Sequence, residues 1–164
     1  REALRQLEAH GLVRIHPNRG ATVTQLSRDS LEDMMEIRAS ISYCLLRRAV
    51  PLMTRDDFAQ LQEIIEEEKH VAGLMETEAL NYRFHELLTK KAGNSTADLI
   101  IEILHANMDR YLRSGFYTGE DARENSIHEH QAILDACREG DAEKAASLLQ
   151  DHILDARNRI PSNL

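Results

Sequence analysis

The sequence predicts a mainly α-helical protein: an antiparallel bundle of six to seven helices, preceded by a short helix and a β-hairpin. From about residue 28 onward, apolar residues recur at three- and four-residue spacing, which is typical of amphipathic helices. Alternation of apolar and polar residues, typical of strands, is confined to residues 12–24. We therefore divide the chain into an N-terminal unit, residues 1–26, and a helical domain, residues 27–164.

The N-terminal unit is predicted to contain one helix and one hairpin. Leu4 and Leu7 have helical spacing over residues 1–10, and Gly11 supplies the left-handed stop that commonly ends a helix. Val13 and Ile15 then alternate with polar residues before the turn sequence His-Pro-Asn-Arg-Gly, after which the alternation resumes. The pattern is typical of a β-hairpin with a basic turn.

The helical domain is predicted to contain six helices, at about residues 28–52, 55–73, 76–92, 96–114, 121–139 and 142–159. Pro51 falls at the end of the first helix and Gly73 at the end of the second. Thr54 and Asp57 have the spacing of a capping box, in which each residue caps the start of the second helix. Asp141 is expected to cap the last helix.

Several further positions in the helical domain are predicted to be buried, to face the solvent or to form a loop. Ile37 and Leu99 are predicted to belong to the apolar stripes of their helices. The run Glu-Glu-Glu-Lys at residues 66–69 is interpreted as a solvated face. A glycine-bearing loop is expected at residues 115–119.

The composition limits the function classes. The net charge of −8 argues against a protein that coats nucleic acid, although residues 1–25 carry +2 and the remainder −10. No run approaches the ~20 apolar residues of a membrane span, and no secretory signal is present, so we expect a cytoplasmic protein that does not contact the membrane. Cys44 and Cys137 lack zinc or redox spacing and are predicted to be buried thiols.

Three arginines and one glycine of the N-terminal unit predict contact with DNA. Arg1 and Arg5 are one helical turn apart, so both side chains leave the same face of a helix that can enter the major groove. Arg19 stands beside Gly20 at the hairpin turn, where a small backbone permits close approach to phosphate or the minor groove. On spacing alone, ordinary surface charge is an equally good interpretation.

Three of the eight histidines are predicted to face the interior of the helical domain. His85, His130 and His152 each lie in the apolar stripe of a different helix. Asn81 precedes His85 by one helical turn, so its amide oxygen would complete a set of three nitrogens and one oxygen around a metal ion. The alternative is that each histidine is a core residue hydrogen-bonded to a neighbour. The pattern leaves both interpretations open.

The stretch REALRQLEAHGLVRIHPNRGATVT at the start of the chain resembles the end of the winged-helix domain of the GntR family of bacterial transcription regulators. In that family the recognition helix and the wing tip contact the operator, so the resemblance implies DNA contacts for Arg1, Arg5 and Arg19. The two preceding helices of the motif are expected to be missing from the chain. We therefore expect the full-length protein to bind operator DNA and this chain alone to bind it weakly or not at all.

A second resemblance covers about residues 28–158. The segments NYRFHELLTKKAGN and IHEHQAILDACREGDAEKAASLLQDHI are similar to the signatures of the FCD domain, the effector domain of the FadR subfamily of GntR regulators. The resemblance implies a homodimer and a metal held by Asn81, His85, His130 and His152. Family members more often have Asp at the position of Asn81, and the neutral side chain favours zinc or nickel over magnesium or calcium. Ser42 stands where the family usually has Glu.

The function predicted from these features is a transcriptional regulator, expected to be a repressor, whose helical domain binds a small carboxylate effector through the metal. Arg38 and Arg110 lie beside apolar stripes and are the candidate effector-binding arginines, with surface salt bridges as the alternative. The competing hypotheses are a direct metal sensor, a purely structural metal, a metal-free scaffold and a metal-dependent enzyme. The enzyme hypothesis is disfavoured because Glu86 and Glu129, the acids next to the ligands, point about 100° away on a helix and no catalytic motif occurs.

Overall fold

The computed structural model describes residues 1–113 and 120–156, apart from the side chains of residues 112 and 120–122. Within these ranges the chain forms seven α-helices and one two-stranded antiparallel sheet. The elements are α1 Glu2–Ala9, β1 Val13–His16, β2 Gly20–Val23, α2 Arg28–Ala49, α3 Arg55–Glu68, α4 Leu74–Lys90, α5 Ser95–Arg113, α6 Glu120–Glu139 and α7 Ala142–Asp155. The predicted fold class, a helical bundle preceded by a helix and a hairpin, is confirmed.

The N-terminal unit has the predicted form. Gly11 follows α1 with a φ of +74°, a left-handed conformation that residues with a Cβ rarely adopt. In the hairpin, Val13 pairs with Val23 and His16 with Gly20. The Ile15 amide donates a hydrogen bond to the Glu8 carboxylate at 2.7 Å, which fastens β1 to α1. The division between residues 26 and 27 stays a prediction.

The helix boundaries of the helical domain follow local capping chemistry, with one exception. The predicted capping box at Thr54 and Asp57 is present at the start of α3, and the Asp141 side chain caps α7. The prediction that Gly73 ends α3 is wrong: α3 ends at Glu68 in a tight turn, in which the His70 amide donates to the Glu67 carbonyl. Gly73 has extended backbone and immediately precedes α4 instead.

The main core is formed by side chains from α2, α3, α4, α6 and α7 together with Ala97 of α5, with α2 packed along α7 and α6 against α7. Its largest fully buried members include Leu45, Leu46, Leu61, Ile65, Phe84, Leu88, Ile133, Leu134 and Leu149. A second, smaller cluster joins Leu31 and Met35 of α2 to Tyr111 of α5. Among the described residues, no helix is long and apolar enough to span a membrane.

Three residues that were predicted to be buried are exposed. Ile37 is 50% exposed and Leu99 is 54% exposed, so neither belongs to the core. Ile37 lies two residues after the buried Met35, and two residues turn a helix by about 200°, which places Ile37 on the opposite side. Cys44 is exposed, whereas Cys137 is buried as predicted.

Side chains from the C-terminal half of α5 form hydrogen bonds, mostly to backbone atoms, where the N-terminal unit meets the helical domain. The Asn107 amide donates to the His10 carbonyl at 2.6 Å. The Arg110 guanidinium donates to the hydroxyl and the carbonyl oxygen of Thr24. The Tyr111 hydroxyl accepts from the Ser27 amide and donates to the Ser27 carbonyl. These contacts set the position of the hairpin against the bundle. The loop predicted at residues 115–119 and the last residues of the predicted final helix, 157–159, lie outside the described residues.

Candidate metal centre and effector cavity

Three histidine rings meet inside the bundle, one each from α4, α6 and α7. The Nε2 atom of His152 lies 3.2 Å from the Nε2 atoms of both His85 and His130. The three ligand atoms all lie within 4.8 Å of one another, and all three residues are buried. Two imidazole nitrogens bound to one zinc ion at ~2.0–2.1 Å in tetrahedral geometry lie roughly 3.3 Å apart. The spacing of the three rings therefore fits a single metal ion.

Packing holds these rings in place. Phe84 is fully buried, and its ring stacks on the His130 imidazole with a centroid distance of 4.1 Å. The His85 and His152 rings stack on each other at 5.1 Å. Each ring thus leaves its helix toward the core because its position continues the buried apolar stripe. The sequence prediction that the three histidines face inward is confirmed.

The outer nitrogens of two of these rings contact carboxylates. His130 Nδ1 lies 2.9 Å from Glu68 Oε2, and His152 Nδ1 lies 2.6 Å from Glu129 Oε2. A carboxylate only accepts hydrogen bonds, so the Nδ1 atom of each ring is the donor in these contacts. The Nε2 atom of each ring lies on the opposite side, toward the other histidines. Histidines that bind a metal commonly donate their other ring N–H to a carboxylate in this way.

The fourth predicted ligand, Asn81, lies on the same helix as His85, and its part in the centre stays a prediction. Asn81 lies one turn before His85 on α4, so the two side chains share a helix face. Its Oδ1 atom is buried and has no hydrogen-bond partner among the described residues, whereas its Nδ2 donates to Glu78 at 3.3 Å. An unpaired buried oxygen is costly unless a ligand binds it. The donor set of three imidazoles and one amide oxygen therefore fits a divalent metal such as zinc.

His85 differs from the other two histidines. Its Nδ1 atom is buried without a hydrogen-bond partner among the described residues. Burial, and secondarily the positive charge of Arg38, holds the pKa of His85 well below its ordinary value of 6.5. The ring is therefore neutral at physiological pH, which is the form that binds a metal.

Glu68 and Glu129 are the functional residues that the sequence interpretation missed. Glu68 was assigned to a solvated face, yet it is only 2% exposed. A signal was present, because Leu61, Ile64, Ile65 and Glu68 follow the helical spacing of a buried stripe. Glu129 does adjoin a ligand in sequence, but it contacts the ring of His152 rather than that of its neighbour.

A cavity of about 410 Å³ adjoins the histidine cluster between α2, α4 and α5. Its lining includes Arg38, Ser42, Tyr82, His85, Thr89 and Lys90. Arg38 is only 8% exposed, and its side chain forms no hydrogen bond or ion pair within the described parts of the chain. Burial lowers the pKa of Arg38 from its ordinary value, although Glu78 and Tyr82 act in the opposite direction. A buried guanidinium without an ion-pair partner, beside a cavity, is suited to binding an anion.

The other candidate effector arginine, Arg110, has different surroundings from Arg38. Its guanidinium is engaged by Thr24 at the junction with the N-terminal unit, at 2.8 Å from the hydroxyl, and it does not line the cavity. Effector binding by Arg110 therefore stays a prediction that these contacts do not support. Periodicity could place Arg110 beside an apolar stripe, but it could not reveal that the hairpin packs there.

The predicted DNA-contacting residues are all in the N-terminal unit and all exposed. Arg5 lies on α1, with its amide hydrogen-bonded to the carbonyl of Arg1 at 3.1 Å. Arg19 and Gly20 lie at the hairpin turn, where Gly20 has a φ of +84°. The arrangement leaves all four residues accessible, and their contact with DNA stays a prediction.

Comparison with known proteins identifies the family. The FCD domain matches residues 33–155, which is consistent with the predicted FadR subfamily. The uncharacterized HTH-type transcriptional regulator BphR of Paraburkholderia xenovorans is 30% identical over 166 residues, covering 93% of this chain and 66% of the relative. The HTH-type transcriptional repressor RspR of Escherichia coli is 30% identical over 159 residues, covering 93% of this chain and 68% of that protein. The chain thus spans about two thirds of the length of these relatives.

Solved structures agree with this assignment. A GntR-family transcriptional regulator from Pseudomonas syringae pv. tomato is 27% identical, with a TM-score of 0.68 over 96% of this chain and 67% of that chain. McbR/YncC of Escherichia coli, at 22% identity, shares the fold with a TM-score of 0.78 over 93% of this chain and 78% of that chain. The two relatives and the Pseudomonas syringae structure are named as transcriptional regulators, not as enzymes. The chain therefore belongs to the GntR family of transcriptional regulators and carries an FCD domain.

Proposed function

We propose that this chain is the effector-binding part of a transcriptional repressor that binds a small carboxylate through a divalent metal and so controls operator binding. The observation that supports this function most strongly is the meeting of three histidine Nε2 atoms at the edge of a cavity that contains a buried arginine. The family supports the regulatory part of the proposal. The parts of the proposal that concern the metal and the effector rest on the residues of the site itself.

In this proposal Asn81, His85, His130 and His152 hold the metal, with zinc or nickel favoured by three imidazole ligands. When bound, the metal supplies a positive charge with open coordination positions for an anionic ligand. His85 both belongs to the histidine cluster and lines the cavity. A ligand in the cavity is therefore close to the metal position.

Arg38 binds the effector's carboxylate in the same proposal. The guanidinium is already desolvated, so an incoming anion gains a charge-assisted hydrogen bond without removing water from an exposed arginine. Ser42 and Thr89 add hydroxyl groups to the lining, which suits a carboxylate that also carries hydroxyl groups. Ser42 leaves more room in the cavity than the glutamate that family members usually have at this position.

Regulation then follows from a shift between two arrangements of the protein. An effector changes operator binding only if it binds one arrangement of the helical domain more tightly than the other. In a homodimer, such a change alters the spacing of two DNA-reading units on their half-sites. Arg1, Arg5, Arg19 and Gly20 are the residues proposed to contact operator DNA. A direct metal sensor is the second candidate function, because the histidine cluster alone supports it.

The metal can be tested by measuring the zinc and nickel content of the purified chain. We expect about one ion per chain, and its loss in His130→Ala and His152→Ala. His128→Ala is the matched control, because His128 lies on the same helix as His130 and outside the cluster. A chain grown with both metals that contains neither would disprove the metal site.

The effector can be tested by thermal denaturation of the zinc-loaded chain with hydroxy acids, dicarboxylates and sugar acids. A ligand at 100 times its Kd adds about 2.7 kcal/mol of stability, which raises the Tm measurably. Arg38→Gln should abolish the shift, whereas Arg47→Gln should retain it, because Arg47 is exposed and pairs with Glu143 at the surface. If the metal alone raises the Tm and no carboxylate adds to it, the direct metal sensor is favoured.

A further inference from the structure

Three of the four proposed metal ligands contact a glutamate through the atom that faces away from the metal position. Glu68 contacts His130, Glu129 contacts His152, and Glu78 accepts from the Asn81 amide. The three glutamates come from three different helices, α3, α6 and α4. The Glu78 contact follows from three-residue spacing on α4, whereas the contacts of Glu68 and Glu129 each join two different helices. His85, which lines the cavity, has no such partner among the described residues.

We propose that Glu68 and Glu129 are positioning residues of the metal centre, which fix the orientation and tautomer of His130 and His152. This inference rests on the proposed metal site and adds residues to it. Each carboxylate holds the proton of its imidazole on Nδ1, so the Nε2 lone pair points at the metal position before any metal arrives. The ligands are then preorganised, and less conformational freedom is lost when the metal binds.

The burial of Glu68 supports this role. The carboxylate is 2% exposed and lies against a fully buried imidazole, 2.9 Å from its Nδ1 atom. No lysine or arginine forms an ion pair with Glu68 within the described residues. A carboxylate buried against the outer nitrogen of a histidine is the arrangement that commonly orients a metal-binding imidazole.

The same two glutamates explain how a site with Asn81 holds a divalent metal. The amide oxygen brings no charge, whereas the aspartate more usual at this position brings one negative charge. Glu68 and Glu129 place two negative charges one imidazole ring away from the metal position. The negative charge thus lies behind the ligands instead of on them, which leaves the open coordination positions free for an anionic effector.

The test is the zinc affinity of the metal-free chain, measured by competition with a chromophoric chelator. Glu68→Gln and Glu129→Gln should each bind zinc about 10- to 100-fold more weakly than the unchanged chain. Glu67→Gln is the matched control, because Glu67 neighbours Glu68 but pairs with Arg83 at the surface. Its zinc affinity should change by less than about twofold, since surface ion pairs contribute little.

A second measurement separates positioning from a general structural role. Nitrogen NMR of the metal-free chain should show the His130 proton on Nδ1, and Glu68→Ala should shift the tautomer population toward Nε2. Glu68→Gln should keep the Nδ1 tautomer, because the Gln carbonyl still accepts the hydrogen bond. If either Glu68 variant fails to fold, Glu129→Gln decides the matter, because Glu129 is 34% exposed.

The outcomes distinguish this inference from the proposed function. If the unchanged chain binds zinc, both glutamine variants bind it equally tightly and Glu68→Ala leaves the His130 proton on Nδ1, the positioning role is overturned while the metal site stands. If the unchanged chain does not bind zinc, the metal site and the positioning role fall together. Weaker binding in both variants, with the Glu67→Gln control unaffected, supports the inference.

Discussion

The N-terminal unit and the helical domain are held together by different kinds of interaction. No residue of α1 is buried, and all four residues of β2 are exposed. In the helical domain, by contrast, side chains from five helices are fully buried in one core. The unit therefore takes its shape from backbone turns and hydrogen bonds, whereas the domain takes its shape from apolar burial. A short sequence motif can therefore be recognised even where the residues that form it have no buried core of their own.

The contacts between the two regions follow the same distinction. Asn107, Arg110 and Tyr111 reach the N-terminal unit and the adjoining Ser27 mainly through backbone atoms. Such contacts depend little on which side chains the unit carries, because backbone carbonyls and amides are present at every residue. Helix α5 also lines the cavity through its first half. One helix therefore contacts both the proposed effector site and the proposed DNA-reading unit.

The largest expected effect tests the difference in burial. Leu149→Ala should lower the free energy of unfolding by about 2–5 kcal/mol, since Leu149 is completely buried and its truncation leaves a cavity. Leu4→Ala in α1 should change it by less than about 0.5 kcal/mol, because the side chain is partly exposed. Urea denaturation followed by circular dichroism measures both. Equal losses would show that the N-terminal unit shares the core's cooperativity.

A smaller effect is expected at the junction. Arg110→Ala removes both hydrogen bonds to Thr24, and a charged hydrogen bond contributes about 1.5–3 kcal/mol when buried and less when half-exposed. We expect the β1 and β2 amides to exchange about tenfold faster, with exchange in the α7 core unchanged. Arg113→Ala is the control, because Arg113 pairs with Asp109 at the surface. Unchanged exchange in the hairpin would mean that Arg110 does not hold it.

The smallest effect concerns the pH dependence of the core. Burial raises the pKa of the Cys137 thiol from its ordinary value of 9.0 to about 12. Burial of the neutral thiol contributes fully to the free energy of unfolding below pH 9. This contribution is lost as the pH rises toward 12, because the thiol ionises at lower pH in the unfolded chain than in the folded chain. At pH 10 the loss of unfolding free energy is about 1–2 kcal/mol.

Two variants isolate this contribution from other groups that titrate in the same range. Cys137→Ala should remove the extra fall in unfolding free energy between pH 8 and pH 10, whereas Cys44→Ala should retain it, because Cys44 is exposed. The measurement is urea denaturation at the two pH values. A Cys137→Ala variant with the same pH dependence as the unchanged chain would contradict the prediction.

Features that depend on residues close together in the chain were predicted from sequence. The left-handed stop at Gly11, the capping box at Thr54 and the hairpin all follow from the chemistry of a few neighbouring residues. The inward direction of the three histidines was also predictable, because helical periodicity relates each position to the apolar stripe of its own helix. These predictions needed no knowledge of how the helices pack.

What the sequence alone determined, then, is the order of the elements, most of their boundaries and the face on which each histidine lies. Only the tertiary structure decided which side chains meet across helices. It brought Glu68 to His130 across 62 residues and Arg110 to Thr24 across 86 residues. Periodicity carries no information about such partners, because the pairing of helix faces depends on the packing of the whole core. The inward-facing histidines were therefore predictable from the sequence, whereas their pairing with Glu68 and Glu129 was not.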